Sequence, residues 1–247
     1  MFFFRKKQHI IEAGLLKNMT DIHTHILYGV DDGMQTQEQT LESLNFLEKQ
    51  GVARIYLTPH IMEEDSTIDK VQKLLSRFEE LKAVYTGNIA LRLAAEYMLD
   101  NEFEHHLNKA DTLFAIGDNH VLLETSYINP PMGFHDTLHN VIKHGYFIIL
   151  AHPERYTYMD VSDYKELKSI DGLYFQLNLL SLSGHYGKTA QKKAWFLLEN
   201  NYYDFAGSDI HNLDLHRKGY YKKMLTTTEV KKLKQLLENN YQLWERT

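Results

Sequence analysis

The hydrophobic pattern of this chain switches repeatedly between the two-residue period of strands and the period of about 3.6 residues that is typical of helices. Alternation of this kind predicts βα units, in which parallel strands form a sheet and helices cover its faces. No segment rich in proline, glycine or serine divides the chain, so we expect one α/β domain. Seven strands are predicted, at residues 20–25, 53–58, 89–95, 121–125, 146–151, 173–177 and 203–206.

The predicted helices lie between these strands, and the first has clear signals at both ends. Thr36 and Gln39 have the spacing of a capping box, and Gly51 follows the last apolar residue of the stripe. Five apolar residues form a second helical stripe: Val71, Leu74, Leu75, Phe78 and Leu81. Further helices are predicted at residues 134–143, 188–199 and 228–239.

The composition restricts the function more than the fold. With 247 residues and a net charge of −6, the chain is a poor candidate for a nucleic-acid scaffold, because binding a phosphate backbone requires an excess of Lys and Arg. It contains no cysteine, which excludes disulfides, zinc thiolate sites and a cysteine nucleophile. Its 14 histidines are the unusual feature, and they prompt a search for metal ligands.

Residues 1–18 are predicted to form an N-terminal arm that precedes a domain at residues 19–247. The opening MFFFRKK has no long apolar core and is a poor secretory signal, and no segment has the roughly 18 apolar residues of a membrane span. We expect a mobile arm and a cytoplasmic protein. The alternative is a weak peripheral anchor, in which Phe2–Phe4 insert among lipids and Arg5–Lys7 contact anionic headgroups.

Imidazole and carboxylate side chains mark the carboxyl ends of all predicted strands except the sixth. In a (β/α) barrel this rim is where active sites are built. His23 and His25 are two residues apart at the end of the first strand, so both point to the same side. Asp209 and His211 repeat this spacing after the last strand. The remaining candidates follow the intervening strands or lie in the loop after the first: His60, Glu96, Glu124, His152 and Asp32.

The joint placement of these residues favours a metal centre, although any one of them alone would usually be a solvated or capping residue. Unrelated surface residues would scatter, as the other nine histidines do, and we assign those to solvated helix faces. Imidazoles and carboxylates without thiolates suit manganese, iron or zinc, and so many anionic ligands require more than one cation. Two such ions can lower the pKa of water and clamp a phosphoryl group. The scattered set includes His105, His106, His139 and His144.

Arg155 lies three residues after His152, where its guanidinium is placed to bind a phosphate beside the metals. The alternative is a surface salt bridge with the neighbouring Glu154. The residue pattern alone favours neither.

Six motifs carry these residues: DIHTHILYGVDDG (21–33), LTPHIMEE (57–64), AAEYML (94–99), LLETS (122–126), AHPERY (151–156) and GSDIHNLD (207–214). In this order they resemble the PHP family, named for polymerase and histidinol phosphatase. Within it, the chain looks like the bacterial manganese-dependent protein-tyrosine phosphatases of capsule and exopolysaccharide loci. The resemblance covers about residues 19 to 215 and leaves the final helix outside.

The resemblance implies a distorted (β/α)7 barrel and a trinuclear centre, with Mn²⁺ preferred over Fe or Zn. Asp31 is the alternative to Asp32, and Arg155 matches the family's phosphate-binding arginine. A second arginine often follows the last motif, but Arg217 is shifted by one position, so its role stays open. By motif match the metal ligands would be His23, His25, Asp32, His60, Glu96, Glu124, His152, Asp209 and His211.

The implied substrate is phosphotyrosine on the tail of a bacterial tyrosine kinase that controls polysaccharide export. No residue stands out as a general acid, and a phenolate, with a pKa of about 10, leaves without strong assistance. The alternative activity is a small-molecule phosphatase such as histidinol-phosphate phosphatase, and the alternative of another class is a catalytically silent metal-binding regulator. Five tyrosines are candidates to stack on the substrate ring or simply to pack at the rim: Tyr28, Tyr97, Tyr127, Tyr156 and Tyr158.

Overall fold

Strands and helices alternate throughout the residues that the computed structural model describes, which are 6–62, 68–101, 103–109 and 113–246. The strands are β1 (Thr20–Asp21), β2 (Arg54–Leu57), β3 (His60–Ile61), β4 (Ala90–Leu93), β5 (Glu96–Met98), β6 (His120–Glu124), β7 (Phe147–Ala151), β8 (Leu173–Asn178) and β9 (Phe205–Gly207). The helices are α1 (Gln37–Gln50), α2 (Ile68–Val84), α3 (Phe103–Lys109), α4 (Phe134–Lys143), α5 (Val161–Lys168), α6 (Gly187–Glu199), α7 (Leu213–Tyr220) and α8 (Thr227–Glu245). Short 3₁₀ helices occupy Pro153–Arg155 and Leu179–Ser183.

The strands form two parallel sheets, ordered β1-β2-β4 and β3-β5-β6-β7-β8-β9. Only Thr58 and Pro59 separate β2 from β3, and two alanines separate β4 from β5. The strands predicted at residues 53–58 and 89–95 therefore correspond to β2 and β4, and the short strands β3 and β5 that follow them belong to the other sheet. Pro59 lacks an N–H group, which interrupts the hydrogen-bond ladder at this point. A parallel bridge from Thr24 to Ile210 joins the segments that follow β1 and β9. The prediction of an α/β fold with parallel strands is confirmed.

The helix signals in the sequence are confirmed where the helices are long. Thr36 caps α1 with the predicted capping box, and Gly51 ends it in the left-handed conformation with a φ of 92°. Helix α4 has the predicted bounds. Helices α3, α5 and α7 were not predicted, because elements of seven or eight residues are too short to show a helical stripe.

The N-terminal segment packs into the core, which differs from the mobile arm expected for residues 1–18. Ile10, Leu15 and Leu16 are buried, and the backbone N–H of Ile10 donates to the Tyr220 carbonyl at 3.1 Å. Burial of these apolar side chains and the hydrogen bond to Tyr220 tie the segment to the end of α7. The expected anchor residues Phe2–Phe4 and Arg5 lie outside the described residues.

Helix α8 is fixed against the first and last strands by one buried amide. Asn240 Nδ2 donates to the carbonyls of Thr20 at 2.8 Å and Ala206 at 2.6 Å, and its Oδ1 accepts from the Ala206 N–H at 3.2 Å. The Asn240 side chain therefore links β1 to β9, the same two strands whose following segments are joined by the bridge from Thr24 to Ile210. Among the residues that the structure describes, none of the helices combines the length and the apolar character that a membrane span requires.

Candidate metal centre

All nine candidate ligands converge at the carboxyl ends of the strands, as their positions in the sequence predicted. Their donor atoms form three overlapping groups, and the atoms of each group lie within 4.8 Å of one another. His152 adjoins these groups, because its Nε2 lies 3.1 Å from Glu96 Oε1. The groups are His23, His25, Glu96 and Asp209; His25, Asp32, His60 and His211; and His60, Glu96 and Glu124.

The first group has the spacing of ligands around one ion. His23 Nε2 and His25 Nε2 lie 3.1 Å apart, and both are 3.1 to 3.3 Å from Glu96 Oε2 and Asp209 Oδ1. Ligand atoms that bind a metal tetrahedrally at about 2.0–2.2 Å lie roughly 3.3–3.5 Å from one another. The four side chains are therefore already placed to hold a cation.

The outer nitrogen of each of these two imidazoles faces an acceptor. His23 Nδ1 is 3.0 Å from Gln176 Oε1, and His25 Nδ1 is 2.8 Å from Asp31 Oδ2. The Gln176 amide is oriented by its Nε2, which donates to the Leu177 carbonyl at 2.6 Å. With Nδ1 as the donor, each neutral ring turns its Nε2 lone pair toward the other ring and toward two carboxylates. Lone pairs and carboxylates that converge in this way fit a bound cation.

Several buried polar atoms of the cluster make no hydrogen bond within the described structure. They are His60 Nδ1, His152 Nδ1 and Glu96 Oε2. His60 Nδ1 approaches Glu96 Oε2 to 3.1 Å and Glu124 Oε1 to 3.0 Å without hydrogen-bond geometry. Because buried polar atoms are costly to leave unsatisfied, the unpaired atoms of His60 and Glu96 fit metal coordination.

The two adjacent aspartates of the first loop have different roles. The Asp31 side chain is buried and accepts hydrogen bonds from the ring of His25 and from the backbone N–H groups of Gly33 and His60. Asp32 is exposed and places its Oδ1 3.4 Å from His60 Nε2 and 3.3 Å from His211 Nε2. The geometry therefore places Asp32 among the possible ligands and Asp31 behind His25.

Two buried carboxylates of the cluster, Glu96 and Asp209, lie in surroundings that favour the ionised form. Burial alone would raise the pKa of Glu96 and Asp209, but facing histidines, and Arg155 beside Asp209, lower the pKa of both well below the usual range. Burial would likewise lower the pKa of His60, yet Glu96 and Glu124 raise it to about 10. This excess of negative charge attracts protons or metal ions.

Local backbone features aim the ligands. His152 and Asp209 both adopt the left-handed conformation, with φ values of 33° and 53°, which is costly for residues other than glycine. Gly33 lies so close to His25 that an added Cβ would be 2.1 Å from the His25 carbonyl oxygen. The final glycine of the VDDG motif is therefore required by the space beside His25.

Arg155 borders the cluster and pairs with Asp209, not with Glu154. Its Nη1 donates to Asp209 Oδ2 at 2.7 Å. Glu154 is buried and accepts hydrogen bonds from the Asn178 N–H and the Tyr203 hydroxyl. The salt bridge between adjacent residues that the sequence left open is thus absent.

A cavity of about 320 Å³ opens beside the cluster, and some of the residues around it were not predicted from the sequence. His185 and Tyr186, from the loop after the sixth predicted strand, line it together with Tyr127. Asn178, at the end of that strand, donates to Asp209 Oδ2 at 2.7 Å. The sixth strand thus contributes amides and an aromatic loop in place of ligands, and the two-residue spacing of Gln176 and Asn178 was the available signal.

Several other expectations need correction or completion. Of the five tyrosines proposed to stack on substrate, Tyr127 lines the cavity, whereas Tyr28, Tyr97 and Tyr156 are buried in the core. Tyr158 contacts Thr125 through its hydroxyl.

Some of the remaining histidines are not on solvated helix faces as expected, and the position of Arg217 is now defined. His139 and His144 are exposed, as expected, but His120 and His216 are buried. Arg217 pairs with Glu42 at 3.0 Å and lies over the ring of Phe46, so α1 holds it away from the cavity.

Comparison with known proteins places this site in context. Residues 19–241 match the family described as capsular polysaccharide synthesis, CpsB/CapC, which extends the expected resemblance into α8. The tyrosine-protein phosphatase CpsB of Streptococcus agalactiae is 30% identical over 214 residues, covering 80% of this chain and 84% of that protein. CpsB of Streptococcus pneumoniae is 27% identical over 204 residues, with coverage of 79% and 84%.

The fold is also similar to a crystal structure of these enzymes. It comes from a study of YwqE from Bacillus subtilis and CpsB from Streptococcus pneumoniae, described as metal-dependent tyrosine phosphatases. The TM-score is 0.68 at 23% identity, and the match covers 93% of this chain and 95% of the other.

Proposed function

The chain belongs to the CpsB/CapC family of capsular polysaccharide synthesis, and from this premise we propose that it is a metal-dependent phosphatase that hydrolyses phosphotyrosine. The observation that carries the proposal is the position of Arg155, which borders a cluster of imidazoles and carboxylates beside an open cavity. A site that only stored metal would have no use for a guanidinium at its mouth.

The proposed cofactor is manganese, with up to three ions held by the nine residues of the cluster. Iron and zinc are the alternatives, because all three metals accept mixed nitrogen and oxygen ligands. The three overlapping donor groups and the unpaired atoms of His60 and Glu96 support this number of ions. When bound, the ions would lower the pKa of water and offset negative charge on the phosphate.

The protein's own side chains would then orient the substrate and the metal-binding imidazoles. Arg155 is placed to donate hydrogen bonds to phosphoryl oxygens while Asp209 holds its Nη1. Gln176 and Asp31 fix the rings of His23 and His25. In the proposed hydrolysis, a bond forms between water oxygen and phosphorus, and the bond from phosphorus to the tyrosyl oxygen breaks. One proton of the water ends on the tyrosyl oxygen, and tyrosine and inorganic phosphate leave.

The proposed substrate is the phosphotyrosine tail of a bacterial tyrosine kinase that controls capsule or exopolysaccharide synthesis, met in the cytoplasm. The names of the relatives support phosphotyrosine, and the family description supports the capsule pathway. The open cavity beside Tyr127 is compatible with an extended protein segment.

We further propose that the two sheets form the distorted (β/α)7 barrel of the PHP type. The bridge from Thr24 to Ile210, and the Asp209 N–H that donates to the His23 carbonyl at 2.8 Å, support closure between the first and last strands.

The decisive experiment is a phosphatase assay of the purified protein loaded with each metal in turn. Phosphotyrosine peptides, phosphoserine peptides and histidinol phosphate would be compared. Turnover of phosphotyrosine peptides that depends on added metal supports the proposal. A protein that binds metal but hydrolyses none of these substrates would favour the silent regulator.

A further inference from the structure

We propose that Tyr127 and Tyr186 are positioning residues that hold the Arg155 guanidinium flat between their rings, with one edge free for phosphate. The proposal deepens the proposed phosphatase function and rests on it. We call these three side chains the arginine clamp.

The clamp is defined by contacts between the guanidinium carbon and two aromatic rings. Arg155 Cζ lies 4.5 Å from the ring centroid of Tyr127 and 4.2 Å from that of Tyr186. A cation over an aromatic face is attracted by the ring, and the attraction increases when water is removed. The Arg155 side chain is 16% exposed, so the two rings replace much of its hydration.

A hydrogen-bond network ties the second ring to the same carboxylate that binds the arginine. Asn178 Nδ2 donates to Asp209 Oδ2 at 2.7 Å and to the Tyr186 hydroxyl at 3.1 Å. Asp209 Oδ2 also accepts from Arg155 Nη1 at 2.7 Å. The position of the Tyr186 ring is thereby coupled to the position of the guanidinium.

The first ring is anchored by bonds of its own. The Tyr127 hydroxyl donates to Glu124 Oε2 at 3.4 Å. Its backbone carbonyl accepts from the Thr157 N–H at 2.8 Å and the Thr157 hydroxyl at 2.7 Å. Because Thr157 lies two residues after Arg155, the ring and the arginine belong to loops that are bonded together.

The clamp leaves part of the guanidinium available. The bond to Asp209 uses Nη1, and the structure gives the Arg155 side chain no other hydrogen bond to a described residue. In the proposed clamp, the two rings restrict rotation of the guanidinium out of its plane, so that the Nε and Nη2 groups stay presented along one edge. A planar fork held in this way is suited to bidentate contact with a phosphate, which a lysine cannot make.

The test compares phosphate binding in Tyr186→Leu, Tyr127→Leu and Tyr186→Phe. Titration calorimetry would measure inorganic phosphate binding to the metal-loaded proteins, and elemental analysis would confirm equal metal content. We expect each leucine variant to bind phosphate about tenfold more weakly, equivalent to about 1.4 kcal/mol. Tyr186→Phe keeps the ring and should lose less than threefold. Tyr221→Leu, which removes an exposed tyrosine outside the cavity, is the matched control.

A double-mutant cycle shows whether the tyrosines act through the arginine. In an Arg155→Ala background, Tyr186→Leu should change kcat/KM for p-nitrophenyl phosphate by less than twofold. Phosphate binding by Tyr186→Leu that stays within twofold of the parent overturns the clamp, and so does an equal loss with and without Arg155. Phosphate binding needs no hydrolysis, so a protein that shows the clamp effect but leaves phosphotyrosine intact refutes the proposed function and not this inference.

Discussion

Gln176 Oε1 lies 3.0 Å from His23 Nδ1, and 153 residues separate the two positions in the chain. The contact fixes which nitrogen of His23 faces the cluster, and it leaves Gln176 outside the set of possible ligands. Partners of this kind set both the tautomer and the orientation of a metal-binding imidazole.

Replacing Gln176 by leucine should therefore weaken metal binding without removing a ligand. The buried Nδ1 of His23 would lose its acceptor, and we expect a loss in metal affinity of about 10–100-fold. Competition with a chelator of known affinity would measure it. Gln242→Leu, at an exposed position on α8, is the control. Unchanged affinity in the Gln176 variant would show that the contact does not orient the ring.

Removal of metal should abolish phosphatase activity. Mn²⁺ should restore activity better than Mg²⁺, because Mg²⁺ prefers oxygen ligands and keeps its waters. His23→Ala and Asp209→Ala should lose metal and activity together, whereas His139→Ala, at an exposed site, should lose neither. Full activity in protein shown to be metal-free by elemental analysis would contradict a metal mechanism.

Loss of the Arg155 side chain should impair turnover and spare the metals. We expect kcat to fall on the order of 10²–10³-fold in Arg155→Ala, the range seen when one preorganised charge-stabilising donor is removed. Arg155→Lys should recover only part of this loss, because lysine lacks the planar fork. Steady-state kinetics with metal analysis would check both variants, and a near-parental rate for Arg155→Ala would exclude a role in phosphate binding.

Substrate preference should follow the open cavity. We expect a higher kcat/KM for phosphotyrosine peptides than for phosphoserine peptides or histidinol phosphate. If histidinol phosphate is preferred by tenfold or more, equivalent to about 1.4 kcal/mol in transition-state binding, the tyrosine phosphatase assignment is wrong. Competition assays with mixed substrates would decide.

His120 should make the stability of the protein depend on pH. Burial, and then the charge of Arg246, lowers the pKa of His120 to about 4. Between about pH 4 and 6.5, His120 is protonated in the unfolded chain but not in the folded protein. The contribution of His120 to the free energy of unfolding is therefore fully present above pH 6.5 and is lost as the pH falls.

Replacement of His120 by phenylalanine would test this dependence. The ring already packs against Phe147 and Tyr174, so an apolar ring should be accommodated. The measurement is made with metal removed by a chelator. The difference in the free energy of unfolding, variant minus parent, should be up to roughly 3 kcal/mol larger at pH 4 than at pH 7.5. Urea unfolding at both pH values would measure it, with His144→Gln as an exposed control. An identical pH dependence in variant and parent would refute the role of His120.

The candidate ligands could be predicted from the sequence because strand ends meet at one edge of a parallel sheet. The features that could not be predicted have physical causes. The sixth strand carries Gln176 and Asn178, whose amides give no metal-ligand signal on their own. The different roles of Asp31 and Asp32 depend on the turn that Gly33 allows beside His25. The position of Ile10 depends on a hydrogen bond to Tyr220, which lies more than 200 positions away and which no local pattern reports.

The hydrogen bond from the Ser208 N–H to Asp21 spans 187 residues and lies next to the ligands of both ends of the chain. During synthesis, His23 and His25 leave the ribosome long before Asp209 and His211 exist, and α8, whose Asn240 binds β1 and β9, comes later still. Contacts between such distant positions form slowly, and partly made chains expose the edges that these contacts will cover. A nascent chain would therefore present an incomplete set of imidazoles, and ion capture by the complete cluster would follow the emergence of α8 from the ribosome.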